Sequence, residues 1–231
     1  MTAAATHIVD YKKRLVDNTI VPVVVGAMRL FPDGLIVSSA LFAAFTLSLP
    51  FAVFSATMME SALVFQFLQY CSTFLGLIPA YNSSTQNAKC RTGFIQPNTL
   101  LAMSMFSSSA VHSPFPSAPL FMLSTASAYI FGTLNAQSKE LQALGPAYSS
   151  RYYMSAVFLS MLLLIFIGFR VLYECDTPAV AILTVPVGLI LGFVLVWQNK
   201  SLFGDTSINL LGIPQLYNRA ASGEQIYICP K

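Results

Sequence analysis

Charged residues punctuate the chain, and the apolar runs between them predict its elements. Nothing from Gly34 to Met59 carries a charge, and Leu35–Thr57 is long enough to cross roughly 30 Å of hydrocarbon as a helix. Glu60 interrupts, and Ser61–Ala80 resumes as a second apolar run rich in Phe and Leu. Pro119–Asn135 is shorter and richer in Ser, Ala and Gly, the composition of a helix that packs closely against others. Tyr153–Tyr173 and Ala179–Gln198 form the clearest pair, flanked by Arg151 and Lys200 at their outer ends. Ile20–Phe31 is apolar but short and broken by Arg29, which predicts an interfacial helix. Thr99–Val111, with Ser107, Ser108 and Ser109 in succession, reads as a re-entrant or interfacial segment. The expected fold is all-α: a polytopic transmembrane helical bundle of five to six spans over residues 34–198. An N-terminal interfacial segment (1–33) precedes it and a small extramembrane tail (199–231) follows.

Composition leads to the same place. Of 231 residues, 55% are hydrophobic and 9% charged, with a mean hydropathy of +0.67, against roughly 25% charged in a soluble domain. So few charges cannot cover so much apolar surface in water, which excludes a soluble enzyme, a disordered tail and a secreted disulfide scaffold. A net charge of +3 without a clustered basic surface gives no reason to expect nucleic acid. Residues 1–20 are polar and mixed in charge, which is not the pattern of a secretory signal. The four cysteines (Cys71, Cys90, Cys175, Cys229) lack zinc-ligand spacing, and no metal or cofactor is expected. Cys71 sits within an apolar run as a small core residue. Cys90 and Cys175 fall in loop-like stretches on one expected membrane side, so a disulfide between them is open, because spacing alone does not measure their separation.

Ionisable groups close to hydrocarbon are costly and call for a role. Three places carry them: Lys89 with Arg91, the stretch Arg170–Asp176, and Glu60. Between the first two lies Ser113-Pro-Phe-Pro-Ser-Ala-Pro119 at the head of a span. One reading is that Arg170 and Asp176 are helix-end residues reaching the interface and that the prolines start helices.

Taken in order, these segments resemble the type-2 phosphatidic acid phosphatases, whose motifs run Lys-x6-Arg-Pro, Pro-Ser-Gly-His and Ser-Arg-x5-His-x3-Asp. Lys89 is followed by six residues and Gln96-Pro97; then comes Pro116-Ser117-Ala118-Pro119; then Phe169-Arg170, five residues, Asp176, three more and Val180. Asp176-Thr-Pro-Ala-Val180 leads into Pro186-Val-Gly-Leu-Ile-Leu-Gly192, similar to the family's last motif and final helix. The resemblance covers about residues 60–198 and implies that Lys89, Ser117 and Arg170 are remnants of a phosphate cradle, with all three motifs on one membrane side. It also implies an N-terminus on that side, and loop 136–151 and the tail on the other.

The departures fall on the catalytic positions. In the family one His forms the phosphoenzyme, an Asp orients it, and a second His protonates the leaving oxygen. Here Asp176 stands at the nucleophile, Val180 at its orienting carboxylate, and Pro119 at the acid. Gln96 replaces a phosphate-binding Arg and Ala118 replaces the Gly. His7 and His112 lie outside the motifs. With no carboxylate at 180, Arg170 is expected to pair with Asp176 or Glu174.

The expected function is therefore that of a non-catalytic integral membrane protein with a structural or anchoring role in a larger assembly. Its partners would be membrane lipids and proteins of that assembly. The tail segments Leu210-Leu-Gly-Ile-Pro214 and Ile226-Tyr-Ile-Cys-Pro230 are similar to those of membrane proteins of large icosahedral DNA viruses, which implies a virion inner membrane and capsid proteins as partners. The alternative is a lipid-phosphate phosphatase, or a lipid-head-group binder using Lys89, Arg91 and Arg170. Two sequons, Asn82-Ser-Ser84 and Asn199-Lys-Ser201, offer topology reporters.

Overall fold

The computed structural model describes residue 19, residues 21–76, residue 90, and residues 115–143 and 146–212. These residues are helical, with no strand among them. Helix α1 is Val21–Thr46, α2 Leu49–Leu75, α3 Ala118–Ala136, α4 the short Ser138–Ala143, α5 Pro146–Leu172 and α6 Pro178–Phe203. A 3₁₀ turn, Asp205–Ile208, follows α6.

The first two long helices do not divide at Glu60. The break lies at Leu47-Ser48, where Leu47 takes a left-handed φ of 48° and Ser48 is extended. Pro50 then sits in the first turn of α2, where its missing N–H costs nothing, and the Ser48 carbonyl accepts the Ala52 N–H at 3.1 Å. Glu, a good helix former, stays within the helix at position 60. Val21–Phe31, the described part of the expected interfacial stretch, likewise belongs to one helix continuous to Thr46, so the expected boundaries near 31–35 and 57–61 move to 47–48. At its far end α2 stops on Gly76, whose φ of 59° turns the chain and whose N–H returns to the Ser72 carbonyl.

The long helices alternate in direction. Phe54 meets Tyr129 and Phe65 meets Phe121, so α2 and α3 are antiparallel. Tyr152 packs on Phe131 while Phe166 packs among Leu120 and Leu123, so α5 returns along α3. Gly132 lies against Val196 and the Ser117 N–H reaches Thr184, so α6 runs parallel to α3. Phe42 stacks on Phe51 and Phe31 meets Phe166 edge to face, which orients α1 antiparallel to α2 and alongside α5. The α5–α6 turn and the entry to α3 share one end, called the proximal end below. The α1–α2 turn, α4 and the 3₁₀ turn share the other, the distal end.

Helix α3 is the axis of the bundle: fourteen of its nineteen residues are buried. Its small side chains face two glycines of α6. A Cβ added at Gly188 would lie 1.9 Å from Ser124 Oγ, and one at Gly192 would lie 2.4 Å from the Thr125 carbonyl. The Gly-x3-Gly spacing thus allows backbone-close packing, the way helices associate where lipid removes the hydrophobic drive between them. Two of the hydroxyls buried along α3 bond to their own helix, Ser124 to the Phe121 carbonyl and Thr133 to that of Ile130, whereas Thr125 Oγ1 and Ser127 Oγ are buried without a hydrogen-bond partner.

Three helical segments are long and apolar enough to cross a membrane: Leu49–Ser72, Tyr152–Leu172 and Pro178–Phe203. Asp33–Thr46 is a shorter apolar helix. Helix α5 presents Phe158, Met161, Leu164 and Ile165 outward, each more than half exposed. Water would not tolerate that face beside so few charges, and hydrocarbon would. The chain is compatible with an integral membrane protein.

Candidate functional site

The proximal end gathers the polar residues that the motifs single out. Asp176 lies in the α5–α6 turn, which Glu174 reverses with a φ of 55° while the Cys175 and Asp176 N–H groups both return to the Arg170 carbonyl. Arg170, in the last turn of α5, wraps back onto the carboxylate. Its Nε donates to Oδ2 at 2.5 Å and its Nη2 to Oδ1 at 3.1 Å, a two-pronged ion pair. Ser117, the residue before α3, donates its hydroxyl to Oδ2 at 2.6 Å. The Asp176 side chain is 0% exposed and that of Arg170 5%.

The surrounding contacts complete the network. Arg170 Nη1 donates to the Cys90 carbonyl at 3.4 Å. The Ser117 N–H donates to Thr184 Oγ1 at 3.2 Å, and Ser72 Oγ donates to the Phe115 carbonyl at 2.6 Å. Thr177 caps α6 by accepting the Val180 N–H at 3.2 Å. A disulfide joins Cys90 to Cys175, with Cα atoms 5.2 Å apart, and staples the segment between α2 and α3 to the α5–α6 turn.

The sequence-predicted residues therefore divide. Ser117, Arg170 and Asp176 converge, and of the two carboxylates open to Arg170 it takes Asp176 while Glu174 stays exposed. Pro119 is buried in the first turn of α3, and Val180 is buried in that of α6. Lys89, Gln96, Arg91, both histidines and the stretch 99–111 lie outside the described residues, as do residues 213–231 of the tail. Thr184, Ser72 and the Cys90 carbonyl were not singled out by sequence. Ser72 and Thr184 left a trace there, as polar residues within apolar runs.

Chemically, this arrangement is closed. Both Asp176 oxygens accept hydrogen bonds from protein donors, and the side chain has no exposed surface. The Arg170 fork, which in a phosphate cradle would grip phosphate oxygens, grips the chain's own carboxylate. Pro119 has no proton to give and Val180 nothing to orient. Among the described residues no cluster of His, Cys, Asp or Glu could hold a metal.

A second polar layer lies at the distal end, about 33 Å along α6 from Thr177 at the usual helical rise. Asn199 Nδ2 donates to Thr57 Oγ1 at 2.7 Å and to the Tyr129 hydroxyl at 3.0 Å, tying α6 to α2 and α3. Asn199 is 3% exposed, so the nitrogen a glycan would need is buried and engaged, and the second sequon is no topology reporter. Beside it Gln198 Nε2 donates to both Glu60 oxygens at 3.0 and 3.2 Å. Lys200 pairs with Asp205 at 2.9 Å on the surface.

No protein-family model, curated protein or solved structure matches this chain.

Proposed function

We propose that this chain is a non-catalytic, five-pass membrane bundle serving as a structural anchor, built on a degenerate lipid-phosphatase-like plan. The alternation of α1, α2, α3, α5 and α6 supports five passes, with α3 sheltered by its neighbours and α1 lying along α2 and α5. One observation carries the loss of catalysis: the carboxylate at the nucleophile position is locked by Arg170 and Ser117 in a dry pocket. Such a pair is costly to assemble and costlier to break, so it holds the helix ends together rather than turning over a substrate. The disulfide beside it fits the same holding role. Membrane lipids and the proteins of a larger assembly are the partners this reading implies.

The test is phosphate release from short-chain phosphatidic acid by the purified full chain in detergent. No turnover above the protein-free rate is expected. Turnover by the wild type that Arg170→Ala abolishes would overturn the non-catalytic reading.

A further inference from the structure

The α1–α2 turn differs in kind from its neighbours at the distal end. Helix α4 there carries Lys139 and Glu140, and the 3₁₀ turn opens on Asp205, which pairs with Lys200. The α1–α2 turn runs Phe45-Thr-Leu-Ser-Leu-Pro-Phe51, inside a stretch from Gly34 to Met59 that holds no charge. Phe45 and Leu47 are 84% and 90% exposed, and Phe42 and Leu49 are more than half exposed. Leu47 also takes a left-handed φ of 48°, where a turn in water would seat Gly or Asn. Such a turn is built for apolar surroundings.

Its depth follows from the aromatic residues. Tyr and Trp gather at the two boundaries of a bilayer. Tyr153 in α5 and Tyr173 just past its end stand about 30 Å apart at the helical rise, the thickness of the hydrocarbon layer. Exposed Trp197 of α6 joins Tyr153 toward the distal boundary, and exposed Tyr70 of α2 joins Tyr173 toward the proximal one. From Tyr70 the same rise places Leu49 about 32 Å away, at the distal boundary. Helices α1 and α2 hold no Tyr or Trp at that end, and Phe45 with the Phe42–Phe51 stack stands in their place. The backbone there is partly closed, as an apolar setting requires. Thr46 Oγ1 donates to the Phe42 carbonyl at 2.6 Å, the Ser48 carbonyl accepts the Ala52 N–H at 3.1 Å, and Pro50 has no N–H.

We propose that the α1–α2 turn is a lipid anchor, seated at the boundary of acyl chains and head groups in the leaflet at the distal end. Phe42, Phe45, Leu47 and Leu49 lie among the upper acyl carbons, and the open backbone groups of the turn reach the hydrated head groups. Continuity argues for lipid as the occupant. Val37 and Leu41 belong to the exposed apolar surface of α1, and the turn extends that surface with no charged residue between. The anchor sets the depth of the α1–α2 hairpin, as Tyr153 and Trp197 set that of α5 and α6. This inference rests on the membrane reading above and not on the loss of catalysis.

Carbene footprinting of the full wild-type chain in phosphatidylcholine nanodiscs, which leave both faces open to water, tests the anchor without any variant. One sample carries a phosphatidylcholine with a diazirine on its acyl chain, the other a water-soluble diazirine, and mass spectrometry maps the adducts. On residues 42–49 the ratio of lipid to aqueous adducts is expected to exceed that on α4 roughly tenfold and to match that on the outward face of α5. A ratio like that of α4 places the turn in water and overturns the proposal. Protection from both probes gives the turn to another part of the chain or to a second copy, and overturns it equally. Phe158, Met161, Leu164 and Ile165 of α5 serve as the internal reference. If they take lipid adducts and the turn does not, the anchor alone fails; if they take none, the membrane reading fails with it.

Discussion

Asp176 and Glu60 lie toward opposite ends of one bundle and meet opposite treatment. Asp176 is enclosed, with a guanidinium and a hydroxyl on its two oxygens and no exposed side-chain surface. Glu60 is half-buried, held by one amide and open to a cleft. The difference separates a carboxylate enclosed by donors from two helix ends from one that a single amide holds beside a cleft.

The contrast is broken most directly at Arg170. Arg170→Ala leaves Asp176 buried without its cation and should lower stability by about 3–5 kcal/mol. Chemical unfolding in detergent measures this, and the double change Arg170→Met with Asp176→Leu should recover most of the loss. A single variant as stable as the wild type would mean that the proximal network holds nothing. Next in size, Asn199→Ala removes the amide that ties α6 to Thr57 and Tyr129, leaving two buried hydroxyls short of a donor. A loss of about 1–3 kcal/mol is expected in the same assay. Smallest is Glu60→Gln, which keeps an acceptor for Gln198 and removes a charge from a half-exposed position. A change within about 1 kcal/mol is expected. A loss rivalling that of Arg170→Ala would make Glu60 a structural residue like Asp176 and dissolve the distinction.

Much of the proximal site was legible because its chemistry is local. Arg170 and Asp176 are six residues apart around a turn, and an Arg at the end of an apolar run needs an anion close by. Ser117 was legible through the ordered proline-serine segment. What could not be read was reach across the bundle: that the Cys90 carbonyl, Thr184 and the Asn199–Thr57–Tyr129 group would meet depends on helix register, which no single apolar run encodes. The helix boundaries near residue 60 were misplaced for a different reason. Charge was taken as the punctuation, but a lone Glu costs a helix little backbone energy, whereas Ser48-Leu-Pro50 carries a helix start in its backbone chemistry. The polar composition of α3 was read correctly as close packing, because the small side chains that admit Gly188 and Gly192 are visible in the sequence itself.

The Cys90–Cys175 bond also works as a compass. A protein disulfide endures where thiols are kept oxidised and is reduced in a cytosol poised by glutathione. In a bundle whose passes alternate, fixing one end fixes the other. The proximal end is thus the end whose thiols meet oxidising conditions, and α4, the 3₁₀ turn and the surface pair Lys200–Asp205 lie at the other end. A single covalent bond thereby marks which end of the bundle meets an oxidising environment.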